Sequence, residues 1–227
     1  AVHVGAWFLH KPHGGFGTLL GGVPGVPPAY VIILGTGVVG TNALKMAVGL
    51  GAHVHAIGRN LAQLRYLDDL YKGAIHTQVS HPLAIEEKLI HADLVIGAVL
   101  ITGAKAPKLV TRKMLARMKK GAVIVDVSID QGGTFETSRP TTHADPVYEV
   151  DGILHYCVTN MPGAVPYTST LALTNSTITY AASIANKGLE KAISEDEALA
   201  KGVNTIEGKL TCAPVAQAFN LPYTPLE

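Results

Sequence analysis

The chain has 227 residues, of which 48% are hydrophobic and 15% are charged, and its formal net charge is +1. This composition suffices for one large or two small domains with a buried core. The balanced charge and the absence of any basic run longer than Lys119 and Lys120 argue against a nucleic-acid partner. No apolar run approaches the length that a bilayer requires, so no membrane partner is expected.

The two cysteines, Cys157 and Cys212, predict a reducing compartment rather than a disulfide framework, with a lone disulfide as the alternative. Residues 1–15 contain neither the basic nor the apolar segment of a signal peptide. A cytoplasmic location is therefore expected.

The first 28 residues predict a helix end followed by a turn-rich lead-in. Residues 1–9 carry apolar side chains at near-helical spacing, and residues 21–28 are rich in glycine and proline. The early histidines have no third ligand at a metal-binding spacing, so no metal site is predicted there or elsewhere. These histidines are His3, His10 and His13.

Residues 31–60 form the pattern around which the chain is organised. The stretch predicts a buried strand at 31–34, a helix at 42–50 and a second strand at 53–57. A glycine-rich turn in G-x-G-x-x-G register joins the first strand to the helix. Its residues are Gly35, Thr36, Gly37, Val38, Val39 and Gly40.

Each of the three glycines has a physical role in this pattern. Gly35 allows the tight turn out of the strand, Gly37 lets the backbone approach a pyrophosphate, and Gly40 lets the helix pack against the strand. The helix N-terminus then offers N–H groups and partial positive charge to the phosphates. In a chain with 24 glycines the pattern alone is weak. The strand–turn–helix–strand context nevertheless predicts nucleotide binding rather than a merely structural turn.

The end of the second predicted strand bears on which cofactor is bound. An NAD site usually has Asp or Glu about 20 residues after the first glycine, whereas this chain has no carboxylate between Gly35 and Asp68. Gly58 leaves room there, and Arg59 offers a forked set of donors to a 2′-phosphate. The residues favour NADP(H) over NAD(H), with a solvated loop charge as the alternative interpretation of Arg59.

Strand and helix patterns continue to alternate after this unit, which predicts an α/β fold with a doubly wound parallel (Rossmann) sheet. Further strands are predicted at 74–79, 94–100, 122–126 and 154–158, and helices at 82–91 and 111–118. The tail differs, with a long helical run at 171–188, a short helix at 195–201 and short elements at 203–210 and 214–219. We therefore expect a lead-in at 1–28, a dinucleotide-binding domain at 29–170 and a C-terminal helical segment at 171–227.

Three loops leave the carboxyl ends of predicted strands, where a doubly wound sheet binds its ligands. They span residues 99–108, 127–133 and 159–166. Asp130 is a carboxylate in the second, glycine-rich loop, beside the expected nicotinamide site, and is the candidate catalytic residue. The alternative is that Asp130 only stiffens the loop through local hydrogen bonds.

Several long motifs together resemble alanine dehydrogenase, in the right order and over about residues 2–225. They are GGVPGV, GAVLxxGAKAPKLV, VDVxIDQGGxFETxRPTTHxxPxY, NMPGAVPxTSTxALTN and ALAKGxNTxxG. The resemblance implies oxidative deamination of L-alanine to pyruvate and ammonia with NAD, the reverse amination, and assembly as a homohexamer.

The resemblance also implies roles for individual residues. Asp130 matches the family's active-site aspartate, and the three glycines hold the pyrophosphate. The other implied contacts lie on the adenosine and ribose side or around the nicotinamide ribose and ring. The first group contains Ser80, Val99 and Leu100, and the second contains Val127, Asp130, Asn160 and Met161.

Two departures from the family leave alternatives open. Gly58 stands where the family has a ribose-binding aspartate, and the motifs of the substrate-binding N-terminal region are absent. The resemblance implies that residues 171–227 help to complete a substrate domain whose first half is missing from this sequence. His143 and His155 are weak stand-ins for the missing acid/base and are more readily interpreted as a turn residue and a strand residue. A nucleotide-binding module without turnover and a transhydrogenase-type subunit therefore stay as alternatives to an alanine dehydrogenase.

Overall fold

The computed structural model describes residues 1–101 and 105–226. The helices are α1 (Val2–Phe8), α2 (Val38–Gly49), α3 (Leu61–Tyr71), α4 (Pro82–Leu89), α5 (Arg112–Leu115), α6 (Pro166–Lys187), α7 (Leu189–Glu195), α8 (Glu197–Gly202) and α9 (Ala213–Phe219). The strands are β1 (Tyr30–Leu34), β2 (His53–Gly58), β3 (Ile75–Val79), β4 (Leu94–Gly97), β5 (Val123–Asp126), β6 (Val147–Val150), β7 (Ile153–Tyr156), β8 (Thr205–Ile206) and β9 (Lys209–Leu210).

Seven of the described strands form one sheet in the order β3-β2-β1-β4-β5-β7-β6. All neighbouring pairs in it are parallel except β6 and β7, which are antiparallel. The predicted α/β doubly wound sheet is confirmed, but the expectation of a parallel sheet throughout is wrong at this edge.

The antiparallel edge follows from a two-residue turn that the sequence analysis left out. Asp151 and Gly152 both have positive φ angles, 53° and 79°. Such a pair matches a type I′ turn, whose twist suits a hairpin, and Asp-Gly is one of its preferred sequences. The chain therefore reverses directly from β6 into β7.

Helix α3 was also missing from the sequence-based assignment. Its start is capped by the Asn60 side chain, which accepts a hydrogen bond from the Gln63 backbone N–H. Leu64 and Leu67 are its buried residues. The predicted helix 42–50 begins earlier, at Val38, so that part of the glycine-rich turn is the first turn of α2.

The core lies on both faces of the sheet because successive residues of a strand point to opposite sides. Val31 and Ile33 of β1 belong to one buried cluster, and Ile32 and Leu34 belong to the other. All four are fully buried. Near-continuous apolar strands of this kind are typical of parallel sheets that are covered on both faces.

The chain divides into two compact units. One contains Ala1–Leu100 and Ala106–Met161, and the other contains the described part of Ile101–Lys105 and Pro162–Glu227. In the second unit, β8 and β9 form a hairpin through Glu207 and Gly208, and α6 contains no buried residue. The assignment of residues 171–227 to a substrate domain stays a prediction.

None of the described helices combines the length and apolar character needed to cross a membrane.

Candidate dinucleotide-binding site

The glycine-rich turn leaves β1 with a geometry that only glycine allows at two positions. Gly35 has a φ of +102°, and a Cβ there would lie 2.5 Å from the Ala98 carbonyl oxygen. A Cβ on Gly40 would lie 1.8 Å from the Gly35 carbonyl oxygen. The absence of a Cβ at these two positions therefore lets the turn pack closely against the end of β4 and the start of α2.

Gly37 differs from them because the space in front of it is open. A Cβ at this position would have no described atom within 4 Å. Gly37 is the N-cap of α2 and makes no side-chain cap, so the first N–H groups of the helix lack an intrahelical acceptor. Val38 is 82% exposed beside them. The turn thus presents open space and N–H donors together, which suits an anionic group.

The end of β2 adjoins the same turn through the Thr36 side chain. A Cβ on Gly58 would lie 2.4 Å from Thr36 Oγ1. Buried Thr36 therefore fills the space on the Cβ side of Gly58, and the room for a 2′-phosphate at this strand end stays a prediction. The backbone N–H of Ser80 donates to the Gly58 carbonyl at 2.8 Å, which places Ser80 beside this strand end.

Arg59 follows Gly58 and is exposed. Within residues 1–101 and 105–226 its guanidinium has neither an ion-pair nor a hydrogen-bond partner. Its donors are therefore available to a ligand at the end of β2.

A cavity of about 180 Å³ lies at the carboxyl ends of the central strands. It is bordered by residues that follow β4 and β5 and by one residue of α2. The lining consists of Val39, Ala98, Val99, Leu100, Val127, Ser128, Asp130 and Gln131. Ser128 Oγ donates to the Val99 carbonyl at 2.7 Å and ties the two loops together. Five residues predicted from the sequence therefore meet in one cavity: Val39, Val99, Leu100, Val127 and Asp130.

Asp126 and Asp130 differ sharply in environment. Asp130 is exposed at the cavity, whereas Asp126 at the end of β5 is fully buried. Burial raises the pKa of the Asp126 carboxyl, although hydrogen bonds from Ser138, Thr134 and neighbouring groups act in the opposite direction. Its oxygens accept from the Ser128 N–H at 3.1 Å and the Thr134 N–H at 2.8 Å. Asp126 therefore positions the loop that carries Asp130.

Sequence analysis missed this role of Asp126. The signal for it was a carboxylate ending an apolar strand just before a loop rich in N–H and hydroxyl donors. A buried carboxylate needs such donors to replace the water that it loses.

Comparison with known proteins adds a direct observation. Residues 1–213 match the family described as alanine dehydrogenase/PNT, C-terminal domain. The chain belongs to this family.

Individual members extend that finding. The chain is 56% identical over 223 residues to the alanine dehydrogenase of Halomonas elongata, which covers 98% of this chain and 60% of that protein. A solved L-alanine dehydrogenase superposes with a TM-score of 0.89 at 52% identity, over 96% of this chain and 60% of its own. A transhydrogenase from Sinorhizobium meliloti gives 0.72 at 26% identity, over 88% and 56%. The chain spans about 60% of the length of the curated relatives that it matches.

The third predicted loop of this alanine dehydrogenase/PNT C-terminal domain lies after β7. The exposed Asn160 has its carbonyl oxygen 2.6 Å from His143 Nε2, and Met161 packs against the apolar cluster that includes Val31. Among the described residues, neither Asn160 nor Met161 lines the 180 Å³ cavity. Their place around the nicotinamide stays a prediction.

The two histidines considered as acid/base stand-ins occupy different surroundings in this domain. His155 lies in β7, is fully buried, and forms hydrogen bonds with Thr137 Oγ1 at 2.8 Å and the Ile153 carbonyl at 2.9 Å. Burial lowers its pKa. Its environment is that of a strand residue in the core. His143 is exposed in a turn.

A larger surface depression, of about 620 Å³, lies at the start of α5. Arg112 and Asp151 in its lining are already paired, since Arg112 Nε lies 3.0 Å from Asp151 Oδ2, and Glu136 accepts a hydrogen bond from the Arg112 backbone N–H at 2.7 Å. None of the predicted site residues lines it, so the smaller cavity is the candidate site.

Proposed function

We propose that this chain is the nicotinamide-dinucleotide-binding part of an NAD(P)-dependent alanine dehydrogenase, which interconverts L-alanine with pyruvate and ammonia. The observation that carries the proposal is the place of Val39, which belongs both to the glycine-rich turn and to the cavity lining. The phosphate-binding turn therefore opens directly into a cavity at the strand ends. The names of the 53–56% identical relatives support the substrate.

The residues fit a dinucleotide because Gly37 leaves open space at the N-terminus of α2. The N–H groups of this first turn would hold the pyrophosphate, and Val99, Leu100 and Val127 would flank the ribose groups. When bound, the nicotinamide supplies the hydride acceptor for L-alanine oxidation and the hydride donor for the reverse reaction. Asp130 would orient a ribose hydroxyl or a water and balance positive charge that develops on the substrate nitrogen.

We propose further that the site prefers NADP(H) to NAD(H). Two features at the end of β2 support this preference. No carboxylate is present at Gly58, and the Arg59 guanidinium has no partner among the described residues. A forked guanidinium suits a 2′-phosphate better than ribose hydroxyls.

Parallel titrations with NADPH and NADH, followed by nicotinamide fluorescence, test this preference. We expect NADPH to bind about tenfold more tightly, or about 1.4 kcal/mol, and Arg59→Ala to abolish the difference. Arg65→Ala is the matched control, because Arg65 is exposed on neighbouring α3. Equal binding of both cofactors to the wild-type chain would leave a dinucleotide site without this preference.

The reaction needs a separate assay, because a nucleotide-binding module would bind cofactor without turnover. Purified chain is incubated with L-alanine and NAD⁺ or NADP⁺, and pyruvate formation is measured. Reduction of the cofactor that depends on L-alanine supports the proposal. Because the substrate-binding N-terminal motifs are absent from this chain, cofactor binding without pyruvate shows only that this chain alone acts as a nucleotide-binding module. The higher TM-score and identity to the alanine dehydrogenase argue against the transhydrogenase alternative.

Homo-oligomeric assembly, as a hexamer by family resemblance, is part of the same proposal. Apolar residues of α6 support it, because Leu171 and Ile178 are 48% and 60% exposed and, seven residues apart, share one face of the helix. Apolar side chains grouped on an exposed helix face are typical of an association surface.

A further inference from the structure

Three histidines gather at the end of the sheet opposite the dinucleotide site. His53 and His55 lie in β2, and His76 lies in β3 directly opposite His55 in the parallel register. Because residues two apart on a strand share a face, all three side chains point to the same side of the sheet. His53 opens β2, whereas the glycine-rich turn adjoins the far end of that strand at Gly58.

The ring nitrogens of these histidines converge closely. His53 Nε2 and His55 Nε2 are 3.2 Å apart, and one nitrogen from each of the three rings lies within 4.8 Å of the others. Two imidazole nitrogens that bind one tetrahedral Zn²⁺ at about 2.0–2.1 Å stand about 3.3 Å apart. The closest pair already has this separation.

Hydrogen bonding alone does not satisfy this arrangement. His55 Nε2 faces the Tyr30 hydroxyl at 2.7 Å as well as His53 Nε2 at 3.2 Å. A neutral ring nitrogen has either one proton or one lone pair, so it serves only one of these neighbours well. A cation between the rings would use the lone pairs of His53 and His55 together and would replace the Tyr30 hydroxyl at His55 Nε2.

The three rings differ in their access to solvent. His55 is buried, His53 is half-buried and His76 is exposed, so an ion has access from solvent. The positive charge of Lys88 acts on His55 and would oppose a cation there. The flexible side chain of Lys88 lets its ammonium group move away from the ion.

We propose that His53, His55 and His76 bind one divalent transition-metal ion of the Zn²⁺ class, with water completing the coordination. The site would join β2 to β3 at the edge of the sheet. It is independent of the proposed dinucleotide function. As metal ligands, sequence analysis considered only the histidines of the first 28 residues by name. The missed signal was the alternating His-x-His of a strand with a third histidine in the next strand.

The test uses the full chain without a histidine tag, titrated with ZnCl₂ in an isothermal calorimeter. We expect one Zn²⁺ per chain, a rise in the midpoint of thermal unfolding with added Zn²⁺, and tetrahedral d–d bands when Co²⁺ is used instead. His76→Gln should weaken Zn²⁺ binding more than the roughly 10–100-fold lost when an outer-shell partner is removed. His91→Gln is the matched control, because His91 is an exposed histidine near Tyr30 that lies outside the cluster.

Each outcome decides the proposal. Absence of stoichiometric binding, or equal binding by wild-type chain and His76→Gln, overturns it. If His76→Gln does not fold by circular dichroism, zinc anomalous scattering from wild-type crystals decides. An ion between the three rings supports the proposal, and an ion elsewhere or no ion overturns it.

Discussion

Strand β1 and helix α6 place similar apolar residues in opposite environments. Val31, Ile32, Ile33 and Leu34 are fully buried, whereas the 22 residues of α6 include no buried side chain. Apolar residues stabilise a fold only where their surface leaves water. The β1 region is therefore fixed by its own packing, and the apolar face of α6 has its effect only when another surface covers it.

The largest effect on stability is expected when one methyl group is added in the glycine-rich turn, next to buried β1. Gly40→Ala would place a Cβ 1.8 Å from the Gly35 carbonyl oxygen, so α2 must shift away from β1. We expect a loss of about 3 kcal/mol or more in the free energy of unfolding. Urea denaturation followed by circular dichroism measures it.

Gly37→Ala is the matched control for that change, because the added Cβ would have no described atom within 4 Å and φ is −74°. Its stability should stay within about 0.5 kcal/mol of wild type, while NADPH binding weakens because the methyl group enters the space assigned to the pyrophosphate. Equal destabilisation by both variants would contradict the close packing described at Gly40.

A second, intermediate effect is expected at buried His155. His155→Gln disturbs hydrogen bonds to Thr137 and Ile153 and should cost about 1–3 kcal/mol at neutral pH. Because the pKa of His155 is lowered in the folded chain, its contribution is present above the unfolded pKa of 6.5 and is lost as pH falls through the folded pKa. The stability gap between wild type and variant should therefore narrow as pH falls below 6.5.

His3→Gln provides the comparison for His155, since His3 is exposed on α1. Its free energy of unfolding at neutral pH should stay within about 0.5 kcal/mol of wild type. If the difference in unfolding free energy between wild type and His155→Gln stays constant between pH 7 and pH 5, the protonation of His155 does not contribute to stability.

The smallest effect on stability is expected in α6. Leu171→Ser and Ile178→Ser replace side chains on one face that are 48% and 60% exposed, so unfolding free energies should change by less than about 0.5 kcal/mol. Self-association should nevertheless decrease, measured by light scattering across a concentration series. A monodisperse wild-type monomer at every concentration would refute assembly through this face.

The sequence was sufficient to predict those elements whose signal lies in a few neighbouring residues. Buried apolar strands and the G-x-G-x-x-G register predicted β1, α2 and β2 because the glycine roles follow from backbone sterics. The Asp151-Gly152 turn and the Asn60 cap were equally local signals, and overlooking them left β6 and α3 unassigned. Those errors came from incomplete use of turn and capping chemistry.

The candidate site was less accessible from sequence because its geometry depends on distant residues. The loops after β4 and β5 were predicted to meet, and Val99, Val127 and Asp130 do line one cavity. Thr36 filling the space beside Gly58 could not be inferred, because it requires the side-chain positions of two elements. The convergence of His76 with the histidines of β2 likewise depends on strand register.

The hairpin turn at Asp151 and Gly152 has a consequence for the direction of the chain. A parallel strand normally reaches its neighbour through a crossover of a dozen or more residues. Here β6 runs antiparallel to β7, and the two turn residues are enough to start β7 in the same direction as β5. The outermost strand thus acts as the return path, and Asn160 emerges on the same edge as Asp130 without an intervening crossover helix between β6 and β7.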